Sequence, residues 1–176
     1  WGCSSNTTLL SDISAKMSAL NGTSTFGGIV AIYDVIEAID IVTDGATVYV
    51  GGYPKLFGEN PSNFTSETGA PGGAVCAVGA ELMTVSITDA LWMNDVSDDL
   101  NDILHDAVDE AILNGIDAYF VPASFEEHGM CGEETLFINP ITVDSYSPLL
   151  INPGGMHPNY QGIVEGYGFP FSIFIS

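Results

Sequence analysis

A histidine lies within a glycine-rich stretch near the C-terminus, in a setting suited to proton transfer. Residues 154–162 have the sequence Gly-Gly-Met-His-Pro-Asn-Tyr-Gln-Gly, and the histidine is His157. Pro158 suits the first turn of a helix, because proline lacks the backbone N–H that a helix start leaves unpaired. We therefore expect His157 at a junction between a loop and a helix, at the rim of the fold. An imidazole there is able to accept and donate a proton near neutral pH.

Two other histidines, His105 and His128, are weaker candidates for a catalytic or metal-binding role. His105 lies in an acidic helical stretch beside Asp106 and Asp109, a spacing that matches no specific metal motif, so a surface position is expected. The sequence contains no pair of Cys-x-x-Cys elements, no His-Glu-x-x-His motif and no glycine-rich phosphate loop. It therefore provides no basis for a metal, nucleotide or flavin, and no cofactor is expected.

Three stretches of the sequence form an ordered set of motifs. The first, residues 48–57, is a strand-like run that ends in Gly-Tyr-Pro-Lys-Leu-Phe. The middle one, residues 125–139, contains Phe-Glu-Glu-His-Gly-Met-Cys followed by Ile-Asn, and the last is the His-Pro-Asn that begins at His157, followed by Gly162. Together they resemble the SGNH (GDSL-type) family of esterases and lipases, although Glu127 replaces the glycine that usually precedes the middle histidine. The three motifs occur in the family's order and at similar spacing, which makes the resemblance fairly specific.

The resemblance implies a role for each histidine that matches a motif. His157 corresponds to the general base of a serine nucleophile, whereas His128 corresponds to a structural histidine. The aspartate that usually orients the base would stand three residues earlier, where this chain has Gly154. A backbone carbonyl of Pro153 or Gly154 is expected to replace it, and Asp144 is a distant alternative.

The chain contains three cysteines, Cys3, Cys76 and Cys131. An odd number in a secreted chain leaves one thiol free or bonded to another chain. The resemblance implies a disulfide between Cys76 and Cys131, which would anchor the long loop after the first motif. Cys3 is then left for an interchain disulfide.

The composition combines strong acidity with enough apolar content for a core. Among the 176 residues 23 are acidic and two are basic, Lys16 and Lys55, so the formal net charge is −21. Nucleic acid and anionic membranes are therefore disfavoured as partners, because both are bound through clustered Lys and Arg. The length of 176 residues predicts one domain, and 46% apolar residues are enough for its core. The resemblance implies that residues 1–176 are a portion of an SGNH-like domain that lacks the N-terminal nucleophile block.

The same composition and three sequons predict an extracellular protein. The most apolar run, residues 28–42, carries three acidic residues, so no transmembrane segment is expected. Many acids with almost no bases suit a saline or extracellular setting, where salt screens self-repulsion. N-glycosylation sequons typical of secreted eukaryotic proteins begin at Asn6, Asn21 and Asn63.

Hydrophobic periodicity predicts an alternation of helices and strands. Helices are predicted over residues 8–20, 28–42 and 81–113, strands over 46–51 and 116–121, and a long loop over 59–79. This order is typical of a parallel α/β sheet. The resemblance implies a three-layer α/β/α flavodoxin-like sheet, incomplete at the N-terminus. Ligands of such sheets bind beyond the carboxyl ends of the strands, where Tyr53 and Ser124 fall.

The C-terminal tail departs from the resemblance. A helix is expected after Gly162, but Gly166, Gly168 and Pro170 are predicted to interrupt it. The apolar stretch Phe169–Ile175 is predicted to be strand-like and to pair with a sheet edge or with another chain. A sheet without its first strand would expose apolar surface. The expected partner is therefore an N-terminal fragment of the same precursor or a second copy of this chain.

The family's Gly-Asp-Ser and Gly-x-Asn-Asp blocks are absent, and no Gly-x-Ser-x-Gly elbow replaces them. The sequence corresponds to roughly the C-terminal three-fifths of the family's domain. The chain alone is expected to be inactive. With a serine and an oxyanion hole on a separate or missing N-terminal segment, the resemblance implies hydrolysis of ester or lipid substrates. The alternative is a non-catalytic extracellular binding or assembly module derived from the same fold.

Overall fold

Helices and short strands alternate in the computed structural model, which describes residues 2–65, 75–78, 84–141, 143–144, 147–151 and 154–175. The helices are α1 (Thr7–Leu20), α2 (Ile32–Thr43), α3 (Ile87–Leu113) and α4 (Phe169–Ile175). The strands are β1 (Val48–Gly51), β2 (Val75–Ala77), β3 (Thr84–Ser86), β4 (Ala118–Val121), β5 (Val143–Asp144) and β6 (Ser147–Ile151). A 3₁₀ turn over Cys3–Ser5 precedes α1, and a π-helix over Gly162–Gly168 leads into α4. The protein is therefore mixed α/β.

The described chain forms two compact units. The first unit comprises Trp1–Ser4, Pro54–Ser97 and Ala123–Ser176. The second unit comprises Ser5–Tyr53 and Asp98–Pro122. Helix α3 contributes residues 87–97 to the first unit and residues 98–113 to the second.

The second unit is built on a parallel pair of strands. β1 pairs with β4 in a register that places Val48 opposite Ala118 and Gly51 opposite Val121. The parallel pairing agrees with the prediction, although both strands begin later than predicted. The core of this unit is the cluster Ile36, Val48, Ala107, Val108, Ala111, Ile116 and Ala118, so α2 and the end of α3 bury their apolar stripes with the strands.

Glycines lie next to the ends of two helices of this unit. Helix α3 stops at Leu113, the predicted last residue, and Gly115 adopts φ +88°, which a glycine takes at little cost. Helix α2 begins at Ile32, later than the predicted residue 28. Gly27 and Gly28 both have positive φ, so the chain before Ala31 is not helical.

The start of α3, in the first unit, is set by a reciprocal cap. The Ser86 hydroxyl accepts the N–H of Asp89 at 3.1 Å and donates to the Asp89 carboxylate at 3.0 Å. The prediction of a helix from residue 81 is therefore wrong, because Thr84–Ser86 forms β3 and the cap places the helix start at Ile87. Residues 81–83 lie outside the described ranges.

The first unit has its own core, which packs around a disulfide. Cys76 and Cys131 are joined, with 6.2 Å between their Cα atoms. The buried aromatic residues of this core are Phe57, Phe64, Phe125 and Phe137. The N–H of Met130 donates to the Leu56 carbonyl at 2.8 Å, which ties the first and middle motifs together. The disulfide thus joins β2 to the loop that carries the middle motif, as the resemblance implied.

The tail is helical, so the prediction that glycines and a proline interrupt a helix and leave Phe169–Ile175 strand-like is wrong. Gly162, Gly166 and Pro170 are all buried and recur every four residues, on one face of the helical segment. A Cβ on Gly166 would overlap the Phe125 ring, so the glycine permits close packing. Pro170 lacks the N–H that the Gly166 carbonyl would otherwise accept, and the N–H of Ser124 replaces it at 2.9 Å.

None of the helices in the described ranges combines the length and the apolar composition that spanning a bilayer requires.

Candidate functional site

Backbone hydrogen bonds hold the loop that carries His157 against another segment of the first unit. The N–H of Asn139 donates to the His157 carbonyl at 2.8 Å, and the N–H of Met156 donates to the Asn139 carbonyl at 3.0 Å. The N–H of Asn159 donates to the Phe137 carbonyl at 2.8 Å. The middle and last motifs, which are separate in sequence, therefore lie in antiparallel contact.

The side chain of Asn159 fixes the end of this loop and the start of the helical tail. Its Oδ1 accepts the N–H of Gly162 at 3.0 Å, and its Nδ2 donates to the Leu136 carbonyl at 2.6 Å. Asn159 was not predicted to have a role of its own. The sequence nevertheless contains a signal for it, because asparagine is a preferred helix N-cap and a helix was expected after Gly162.

The His157 ring is exposed and is oriented by a backbone carbonyl. Its Nδ1 lies 2.9 Å from the carbonyl oxygen of Gly155. Since a carbonyl only accepts hydrogen bonds, Nδ1 of the neutral ring carries the proton and Nε2 carries the lone pair. Among the described residues Nε2 has no hydrogen-bond partner. This is the tautomer that a general base requires.

The orienting carbonyl is not one of the two that were predicted. It belongs to Gly155 rather than Gly154, whereas Pro153 and the Asp144 side chain lie outside the described residues. Met156 adopts φ 62°, a left-handed conformation that costs a non-glycine residue on the order of 1 kcal/mol. This turn brings the Gly155 carbonyl within hydrogen-bond distance of the His157 ring.

His128 is attached to its surroundings by its ring and its backbone. The ring stacks on Phe137, with 3.8 Å between centroids and 3° between planes, and Nδ1 lies 2.8 Å from the Thr135 carbonyl oxygen. Its N–H donates to the Phe125 carbonyl at 3.0 Å, and its carbonyl accepts the N–H of Phe137 at 2.8 Å. These contacts fix the ring and the backbone of His128, and its structural role stays a prediction.

A cavity of about 560 Å³ opens in the first unit beside His128. The described residues that line it are Ser124, His128, Phe137, Val164, Glu165 and Phe169. Ser124 was expected near a site, and the structure brings it together with His128. His157 is not among the lining residues. A smaller cavity of about 210 Å³ contains the Lys55–Glu59 ion pair, at 2.9 Å, beside Glu126 and Glu127.

Two asparagines on α3 hold the backbone of the first motif, and neither was predicted from the sequence. In the first unit, Asn94 accepts the N–H of Phe57 at 3.1 Å and donates to the Phe57 carbonyl at 2.8 Å. In the second unit, Asn101 accepts the N–H of Tyr53 at 2.6 Å and donates to the Tyr53 carbonyl at 2.9 Å. Hydrophobic periodicity did not mark Asn94, because the residues buried beside it along α3, Ala90 and Ser97, are small or polar.

His105 and Cys3 lie at the surface. The His105 ring packs edge-on against Phe120, with 5.3 Å between centroids, and its Nδ1 lies 3.6 Å from the Asp109 carboxylate. Within the described ranges, no three His, Cys, Asp or Glu side chains come together as a metal site. Cys3 is exposed and forms no disulfide with another described cysteine.

The asparagines of the three sequons differ in accessibility. Asn6 and Asn21 are exposed at the two ends of α1, where Asn6 Oδ1 accepts the N–H of Leu9 at 3.1 Å. Asn63 is half-buried, and its Nδ2, the atom that would carry a glycan, donates to the Cys131 carbonyl at 3.0 Å.

No protein-family model matches this chain, and no curated protein or solved structure shows significant similarity to it.

Proposed function

We propose that this chain is the C-terminal part of a secreted SGNH-like ester hydrolase in which His157 is the general base. The observation that carries the proposal is the His157 ring, exposed next to a helix start with its Nδ1 on the Gly155 carbonyl. The nucleophilic serine and the oxyanion donors would lie on a separate N-terminal segment, because this sequence contains no Gly-Asp-Ser block. The chain alone is expected to be inactive.

The proposal includes a three-layer α/β/α flavodoxin-like domain that the N-terminal segment completes. Two features support it. β1 and β4 are parallel, and α3 lies between them in sequence, which is the repeating unit of such sheets. The partner in the proposed assembly is that segment, or a second copy of this chain.

In the proposed reaction, Nε2 of His157 takes the proton of the serine hydroxyl as the serine oxygen attacks the ester carbonyl. The imidazolium then returns the proton to the departing alkoxide. The Gly155 carbonyl holds Nδ1–H and so maintains the tautomer. Because a carbonyl carries only a partial negative charge, it stabilises the imidazolium less than an aspartate does. Turnover is therefore expected to be lower than in an equivalent enzyme with aspartate at position 154.

The test is ester hydrolysis by the natural product that contains residues 1–176, expressed from its complete coding sequence. Turnover of p-nitrophenyl acetate and butyrate is measured, and a fluorophosphonate probe marks any activated serine. His157→Ala is expected to lower turnover about a thousandfold, as the loss of a triad base does. The substitution affects an exposed ring, so the thermal unfolding midpoint is expected to change little.

His128→Ala is the matched control, because it removes the same kind of side chain from a packed position. It is expected to lower the unfolding midpoint and to leave most of the turnover of the folded protein. Comparable losses of turnover in both variants, with both folded, would show that the roles are misassigned. No hydrolysis and no probe labelling of the natural product would refute the enzyme and favour the non-catalytic module.

Secretion is part of the proposal and is supported by the sequons and the disulfide. Glycans are expected at Asn6 and Asn21, which are exposed. Asn63 is expected to be glycosylated only in part, because folding engages its Nδ2 with the Cys131 carbonyl. Peptide mass mapping before and after glycosidase treatment checks this. An unmodified product from a eukaryotic secretion host would contradict the extracellular assignment.

A further inference from the structure

The cavity beside His128 has the properties of a second binding site, separate from the proposed role of His157. Its volume of about 560 Å³ lies in the range of small-molecule sites. Its lining combines apolar side chains with a few polar groups, which is the usual composition of such sites. The polar groups come from Ser124 and His128, in the loop after β4, and from Glu165, in the π-helix.

These polar groups mainly accept hydrogen bonds. His128 Nδ1 faces the Thr135 carbonyl at 2.8 Å, so Nδ1 carries the proton and Nε2 of the neutral ring is an acceptor. Glu165 Oε1 accepts from Gln161 Nε2 at 3.1 Å, and a carboxylate retains further acceptor capacity beyond one such bond. Only the Ser124 hydroxyl is able to donate as well as accept. A ligand that donates several hydrogen bonds complements this set.

The apolar part of the lining favours a ligand with an aromatic or short aliphatic group. Phe137 is 3% exposed and its ring is stacked against His128, so it forms a buried, fixed side of the cavity. Phe169 is 68% exposed and Val164 is 46% exposed, although both line the cavity. The Phe169 ring therefore has a face available to an incoming apolar group or to a cation.

Charge selects between the ligands that this geometry allows. The net charge is −21, and neither of the two lysines lines the cavity, whereas Glu165 does. An anion would meet a carboxylate with no compensating cation among the lining residues. A cation is attracted by the Glu165 carboxylate, by the face of the Phe169 ring and by the long-range field of the negative net charge.

We propose that this cavity binds a small protonated amine that carries an aromatic or short aliphatic group. The ammonium group donates to the Glu165 carboxylate, His128 Nε2 and the Ser124 hydroxyl. The apolar group packs against Phe137, Val164 and Phe169. Neither the His157 general base nor an ester substrate is needed for this binding, so the proposal stands if the esterase assignment fails.

The experiment compares three ligands of nearly the same size in calorimetric titrations of residues 1–176 near neutral pH and at low salt. Benzylamine is cationic, benzyl alcohol is neutral and benzoate is anionic. We expect saturable binding of benzylamine, weaker binding of benzyl alcohol and no binding of benzoate. Absence of saturable benzylamine binding would overturn the proposal, as would benzoate binding of equal strength.

Variants then locate the site. Glu165→Gln is expected to weaken benzylamine binding roughly threefold, the size of effect typical of a solvent-exposed ion pair, and to leave benzyl alcohol unchanged. Asp12→Asn makes the same change in net charge at an exposed position in α1 and is expected to change neither affinity. Phe169→Ala is expected to lower the affinity for both benzylamine and benzyl alcohol. Equal effects of Glu165→Gln and Asp12→Asn on benzylamine would show that binding is not at this cavity.

Discussion

The buried clamp formed by Asn94 allows a sharp test of how the first motif is held. Asn94 is 1% exposed, and its side-chain amide hydrogen-bonds to both backbone groups of Phe57, which is 3% exposed. Asn94→Ala removes both partners at once. The N–H and the carbonyl of Phe57 are then left unpaired in a place that water reaches poorly.

The magnitude follows from these two orphaned groups. Each buried backbone group left without a partner costs about 1–3 kcal/mol, so two such groups cost about 2–6 kcal/mol. Alanine favours the helix over asparagine by roughly 0.5 kcal/mol, so Asn94→Ala is expected to lower the free energy of unfolding by about 1.5–5.5 kcal/mol. At the size of this chain, a loss in that range lowers the unfolding midpoint by roughly 5–15 °C.

The chain provides a matched control in Asn101, which makes the same pair of bonds to Tyr53. Tyr53 is 46% exposed, so water is able to replace the lost amide. Asn101→Ala gains the same helix propensity and is expected to cost less than about 1 kcal/mol. Asn94→Asp keeps the side-chain shape but places a carboxylate beside the Phe57 carbonyl, so it is expected to be at least as harmful as Asn94→Ala.

The assay is urea unfolding without reductant, so that the disulfide stays intact, and unfolding is monitored by far-UV circular dichroism. Equal, small losses from Asn94→Ala and Asn101→Ala would refute the reasoning that burial of the orphaned groups sets the cost. A stable Asn94→Asp variant would do the same, because it would show that shape alone is required at this position.

Three further predictions concern the disulfide, the N-terminal turn and the oligomeric state. The Cys76–Cys131 bridge spans 55 residues and is expected to contribute roughly 2–4 kcal/mol, and non-reducing peptide mapping that finds either cysteine free or bonded to Cys3 would contradict it. Burial raises the pKa of Asp89, but hydrogen bonds from Ser4, Ser86 and Cys3 outweigh it and lower that pKa overall. Ionised Asp89 therefore stabilises the fold above its unfolded pKa of about 4, and this contribution is lost as the pH falls through its lower pKa in the folded protein. Asp89→Asn is expected to be less stable at neutral pH, and in urea titrations its free energy of unfolding is expected to fall less on acidification. Cys3 is exposed and is expected to form an interchain disulfide with the proposed N-terminal segment or a second copy, and light scattering that finds only an 18.5 kDa monomer without reductant would end that expectation.

Features that depend on neighbouring residues were predictable from the sequence. The apolar runs before Gly51 and Val121 predicted strands, and their separation by a long helix predicted the parallel pairing that is found. The end of α3 at Leu113 was predicted correctly, and Gly115 follows it in the left-handed conformation that is easiest for glycine. The start of α3 was misjudged, although the serine at position 86 and the acid three residues later form a capping signal.

Features that depend on distant partners were not predictable from local propensity. The tail contains Gly166 and Pro170, which are unfavourable inside a helix in isolation. Two partners offset this cost, the Phe125 ring that needs a residue without Cβ and the Ser124 N–H that satisfies the Gly166 carbonyl. Both partners lie about forty residues earlier in the chain, so no window around the tail contains the signal.

The cavity depends on the same misjudged segment, which explains why the sequence pointed to Ser124 but not to a binding site around it. If Phe169–Ile175 were a strand, Phe169 would lie far from the helical turn that carries Val164 and Glu165. Because the π-helix continues into α4, Glu165 and Phe169 are four residues apart on a helical segment and line one cavity together. The glycine that brings this helix onto Phe125 thus also brings a carboxylate and an aromatic ring to the cavity that His128 lines, and the packing of the tail creates the proposed amine site.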